Sequence, residues 1–145
     1  MIKKLFAPGN DSALTSLGLL VLRLWLGLAM FFNHGLDKLA NFADHAASFP
    51  DPLGIGHAPS LALVTFAETA GAGLLALGLL TRFAALTLVI ALGVAFVMVH
   101  KTALSGQRGG ELAFIYLAGY AALMIAGGGK FSVDRALFGK GGSSG

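Results

Sequence analysis

Arg23, Gly27, Met30, His34 and Lys38 follow one another at spacings of four, three, four and four, which puts them on one stripe of a helix. The surrounding stretch, LVLRLWLGLAMFFNHGLDKL, is apolar enough to enter a bilayer. An arginine at mid-membrane costs at least about 2.5 kcal/mol. The stripe must therefore face protein, and Arg23 must meet an acceptor. Glu68 lies about two turns into the second apolar run, at a depth comparable to that of Arg23. A bidentate Arg23–Glu68 pair would largely remove the penalty of each. Such a pair reads either as a clasp between two helices or as a clasp that also contacts a ligand headgroup or relays protons. Leu22, Leu26 and Phe32 are then left to face lipid.

A second group gathers at the outer ends of the same runs. His34 and His100 close two apolar stretches, Lys38 stands one turn beyond His34, and Glu111 opens the last stretch. Two imidazoles, a carboxylate and an ammonium at one mouth suit a redox-active quinone, an anion or a metal ion. The plainer alternative is a set of interfacial residues reaching out to hydrated headgroups. His45 and His57 fall in a long connection and read as surface residues.

The elements that must position these groups are four apolar runs: residues 14–32, 61–80, 83–99 and 112–126. Their lengths come close to the roughly 30 Å of a hydrocarbon core. Asp11-Ser12 is a plausible cap for the first, Pro59-Ser60 opens the second, and LLTRFA turns the second tightly into the third at Thr81-Arg82. The fold expected is an all-α integral membrane four-helix bundle. It has an N-terminal segment (1–13), a four-helix domain (14–126) with a long outer loop (35–59), and an interfacial, flexible tail (127–145). In the loop, FADHAASF reads as a short interfacial helix. In the tail, Phe131, Leu137 and Phe138 read as a turn lying on lipid. Gly27, Gly71 and Gly93, with Arg82 at the tight turn, read as structural positions.

Composition agrees with a membrane chain. The 145 residues are 56% hydrophobic and only 12% charged, against about 25% charged in an average soluble domain. A net charge of +3 without any long basic run excludes a nucleic-acid partner. The chain has no cysteine, which excludes disulfides and thiol chemistry of its own. No strand precedes the glycines of ETAGAGLLALGLLTR, so a dinucleotide loop is excluded, and there is neither a Walker sequence nor a Ser-His-Asp arrangement. An even number of spans puts both termini on one side. That side carries Lys3, Lys4, Arg82, Lys130, Arg135 and Lys140, while Lys38, Lys101 and Arg108 lie on the other. The positive-inside rule then places the termini in the cytoplasm.

LGLAMFFNH (26–34) and LGVAFVMVH (92–100) match at Leu, Gly, Ala and His with identical spacing. Two hairpins in parallel repeat would produce this pattern, and so would chance among abundant small and apolar residues.

Taken in order, the Arg in the first run, HGLDKL, ETAGAGLLALGLLTRFAAL, the histidine closing the third run, GE and GGGKFSVD resemble the DoxX family over roughly residues 17–135. Family members more often carry Gly-Pro-Gly where this chain has Gly127-Gly128-Gly129. The resemblance implies a four-helix protein of the bacterial inner membrane, similar to the small subunit of a thiosulfate–quinone oxidoreductase and to proteins of quinone or thiol-stress responses. It implies functional positions at Arg23, His34, Lys38, Glu68, Arg82, His100 and Glu111. With quinone as the cofactor, His34, His100 and Glu111 would handle protons, Lys38 would polarise a carbonyl, and Arg23 and Glu68 would shape the pocket floor. Electrons would then come from a partner protein or a bound small molecule. The competing readings are a non-enzymatic adaptor that anchors soluble partners and, last, a small transporter or a metal or haem carrier, which would need to oligomerise to offer a transport path.

Overall fold

The computed structural model describes residues 12–107 and 109–139. Lys3, Lys4, Asp11, Arg108, Lys140 and the terminal Gly-Ser run lie outside them. Every regular element among the described residues is helical. Helix α1 spans Ala13–Ala40, α3 spans His57–Leu77, and α4 spans Thr81–Val99; all three are long and apolar enough to cross a membrane. The short α2 is Phe42–Ala46, α5 is the apolar Glu111–Ala126, and α6 is Val133–Phe138. This is a helical membrane bundle, with α1 packed on α3, α3 on α4, α4 on α5, and α5 back on α1. Short connections make neighbours antiparallel. The start of α1, the end of α3, the start of α4 and the end of α5 thus share one end, here the base; the opposite end is the far end.

Each helix starts and stops for local reasons. The Ser12 hydroxyl accepts from the Thr15 amide and caps α1. Helix α3 stops at Gly78, whose left-handed φ of 72° lets the Leu79 amide reach back to the Leu74 carbonyl and the Gly78 amide to that of Leu75. The turn therefore lies at residues 78–80, just before the Thr81-Arg82 expected from sequence. Arg82 is already inside α4, and its guanidinium donates to the Ile125 carbonyl at the end of α5.

The predicted stripe holds. Arg23, Gly27 and Met30 are buried, and His34 and Lys38 are half-buried. Lipid-facing side chains include Trp25 (75% exposed) and Phe32, whereas Leu22 and Leu26 pack partly into the core. The first helix, however, does not end near Phe32. It continues to Ala40, so the connection to α3 is shorter than expected and begins with the small helix α2. In the tail, Phe131, Leu137 and Phe138 are exposed as expected, but Gly127, Gly128 and Gly129 are buried against the base.

Candidate functional site

At the base, Arg23 is 1% exposed. Its guanidinium donates to the carbonyl of Ala76, at 3.4 Å, and to that of Phe131. Ala76 belongs to the last turn of α3, where carbonyls have no helical partner and the helix dipole is negative. The anion whose field acts on Arg23 is Asp134, 3% exposed. The Asp134 carboxylate also accepts from the Leu80 and Thr81 amides at 2.6 and 2.9 Å and so caps α4. The Lys130 amide donates to Ser16 on α1. GGGKFSVD is thus the plug that ties the ends of α1, α3 and α4 together.

The expected Arg23–Glu68 pair is not formed. Ala76, the level at which Arg23 sits, is eight residues from Glu68 along α3, or about 12 Å of helix rise. Glu68 instead accepts from Lys38, with Nζ 2.6 Å from Oε2. The apolar runs of α1 and α3 are not level with one another when each is measured from its start. The continuation of α1 beyond Phe32 brings Lys38, and not Arg23, opposite Glu68.

The Lys38–Glu68 pair belongs to a cavity of about 750 Å³ in the far half of the bundle. Met30, His34, Lys38, Glu68, His100 and Tyr116 all line it. The structure therefore brings both histidines to one chamber. Glu111 stays outside, exposed in the first turn of α5, and Glu68 is the carboxylate at the chamber in its place. The rest of the wall is almost wholly apolar, and Phe49, Pro50, Pro52, Leu53 and Ile55 from the α2–α3 connection cover it. That cover is held by Asp51, whose carboxylate accepts from the Ile55 and Gly56 amides at 3.0 and 2.9 Å and from the Ser60 hydroxyl at 2.8 Å. His57, exposed as the sequence suggested, adds a hydrogen bond to the Phe49 carbonyl, and His45, partly exposed, lies 3.4 Å from Asp37.

Three long helices leave the α-helical repeat at the level of this cavity. Their π-helical turns are Phe31–Gly35, Ala67–Gly71 and Ala95–Val99. His34 and Glu68 lie within two of them, and His100 directly follows the third. Single π turns of this kind favour functional sites. The first two meet at Gly35, where any Cβ would run into the Glu68 backbone. Gly27 and Gly71 are also close-contact points, against Ala72 and Thr87; Gly93 has open space beside it and is not one.

Tyr116 and Tyr120 were not singled out from sequence. The His34 and Tyr116 rings meet edge to face at 6.1 Å, Tyr116 stacks on Tyr120 at 5.8 Å, and the Tyr120 hydroxyl donates to the Leu26 carbonyl. Their spacing of four residues on an apolar run is the signal that could have found them. Among the described residues no three His, Asp or Glu side chains group closely enough to hold a metal ion.

Comparison with known proteins gives a family and little more. The DoxX family profile matches residues 18–101. A protein of Haemophilus influenzae, described only as uncharacterized, is 34% identical over 131 residues, which cover 85% of each chain. No solved structure matches.

Proposed function

This chain belongs to the DoxX family, and we propose that it serves a quinone-linked oxidoreductase system as an integral membrane subunit or accessory protein that binds quinone in the far-half cavity. The observation that carries this reading is the composition of that chamber. Its volume of about 750 Å³ falls within the roughly 300–1,000 Å³ of small-molecule sites, which combine apolar walls with a few convergent polar groups. A quinone ring is flat and apolar and carries two carbonyl acceptors. The Lys38 ammonium and the His34 and His100 imidazoles are the donors facing such a ring, so the donor set fits.

Bound there, a quinone would supply two-electron, two-proton carrier chemistry. Lys38, held by Glu68, would donate a hydrogen bond to a carbonyl oxygen of the ring. His34, in edge-to-face contact with Tyr116, and His100 line the same cavity and would hold the protons of the reaction. The sequence contains no flavin or nucleotide fingerprint, so this reading assigns electron supply to a partner protein. Arg82, Lys130 and Arg135 at the base, with the basic residues near the termini, support a bacterial inner-membrane protein with cytoplasmic termini and a cavity in the half of the bundle nearer the other face.

The test is quinone content. Protein purified in mild detergent is extracted and its quinone quantified by mass spectrometry, before and after incubation with a short-chain ubiquinone. Wild type should carry or take up quinone, and Lys38→Ala and His34→Ala should lose it while remaining helical and monodisperse. A wild-type protein that neither carries nor takes up quinone overturns the reading.

A further inference from the structure

Helices α3 and α4 touch at Gly71 and Thr87, where a Cβ on Gly71 would come 2.9 Å from the Thr87 hydroxyl. Toward the far end they part. The first turns of α3, His57–Phe66, pack chiefly on α1 and α2. The slot so formed is lined by Leu63 and Phe66 from α3 and by Ile90 and Val94 from α4, with Thr87 and Ala91 also in its wall. Leu63, Phe66 and Ile90 are 58%, 61% and 58% exposed. On membrane-crossing helices that exposure is to lipid, so the same side chains form both the cavity wall and the bilayer-facing surface. The aqueous approach from the far end is meanwhile covered by the Phe49–Ile55 segment that Asp51 holds down.

We propose that the α3–α4 slot is the access route and tail-binding subsite for a membrane-dissolved amphiphile, whose polar head hydrogen-bonds beside Lys38 and Glu68 and whose linear or isoprenoid tail leaves between Leu63/Phe66 and Ile90/Val94. The polarity gradient favours this occupant. The charged and imidazole groups sit at the inner end, and no charged side chain is among the residues that flank the slot. A water-soluble anion would find donors at the head position but only hydrocarbon along the way. This deepens the quinone reading, from which it takes only the premise that the cavity holds a ligand.

The absence of native cysteine makes the route directly measurable. Thr87→Cys, with Ala91→Cys as a second reporter, is reconstituted in phosphatidylcholine–phosphatidylglycerol vesicles and exposed on both sides to a charged methanethiosulfonate or to a bilayer-soluble pyrene maleimide. Leu53→Cys, on the cover, should react with both reagents. The slot cysteines should react with the pyrene reagent and be spared by the charged one, and the added pair Leu63→Trp and Ile90→Trp should suppress that labelling. Charged-reagent labelling of the slot cysteines as fast as of Leu53→Cys overturns the proposal, as does failure of both reagents at both positions. Because no quinone enters this assay, selective labelling by a protein that binds no quinone would sink the quinone reading and leave the lateral route standing.

Discussion

Gly78 forms the surface against which the Arg23 guanidinium packs: a side chain at that position would collide with Nη1. The left-handed cap of α3 and the buried cation of α1 therefore depend on one another. Gly78→Ala must place a Cβ at a φ of 72° and displace the guanidinium from its carbonyl acceptors. Uncoupling a buried charge from its partners costs about 3–5 kcal/mol, so a loss of at least about 3 kcal/mol is expected in unfolding followed in mixed micelles. A variant as stable as wild type would show that Arg23 does not rely on this base.

Lys38 and Glu68 should be energetically coupled, whereas Arg23 and Glu68 should not. In a double-mutant cycle Lys38→Ala and Glu68→Ala should show an interaction of about 1 kcal/mol or more. Arg23→Ala and Glu68→Ala should instead add to within about 0.5 kcal/mol, as separated sites do. The reverse outcome would restore the pairing expected from sequence.

Asp51 gives the cavity cover a pH dependence of known sign. The Ser60 hydroxyl, then the Gly56 and Ile55 amides, hold its carboxyl below the usual carboxylate range. A depressed carboxylate contributes its full stabilisation above its unfolded pKa of about 3.9 and loses it as pH falls through the lower folded value. The cover should therefore stay closed at neutral pH and loosen only in acid. Hydrogen exchange at the Ile55 and Gly56 amides, corrected for intrinsic rates, should rise in that acid window for wild type. In Asp51→Asn it should already be raised at neutral pH.

Asp134→Ala removes a cap from α4 and a countercharge from Arg23 at once. A lost cap costs about 0.5–2 kcal/mol, so a destabilisation toward the upper end of that range is expected, with faster exchange at the Leu80 and Thr81 amides. Unchanged protection of those amides would remove Asp134 from the cap.

The fold was legible because burial and helical period act together. The spacing of residues 23, 27, 30, 34 and 38 could serve only a helix with its polar stripe turned inward, and that stripe is buried or half-buried. Partner choice was less legible. Apolar runs mark where lipid is tolerated, not where helices stop, and the hydrophilic end of α1 (GLDKLA) continues the helix past the run. The acceptors of Arg23 are main-chain carbonyls, which leave no residue type in the sequence. The cover over the cavity was hidden in part for the same reason, since two of the three groups that Asp51 accepts from are backbone amides. Two of the π turns end at the close-contact glycines Gly35 and Gly71, and none of the three carries a distinct periodicity.

Those three turns also set how the far half of the molecule can vary. Each winds in one residue more than an ordinary turn holds, and one residue corresponds to about 100° of rotation on an α-helix. Removing a single amino acid from the Phe31–Gly35 segment would let that turn close as an ordinary α turn and leave Lys38 on its face, whereas the same deletion in the α-helical stretch between Arg23 and Met30 would swing everything beyond it around the axis and carry Lys38 off Glu68 toward the hydrocarbon. One-residue deletions within these turns should therefore be absorbed, while deletions in the α-helical stretches between base and chamber act as steering errors that aim the chamber's charged group into lipid.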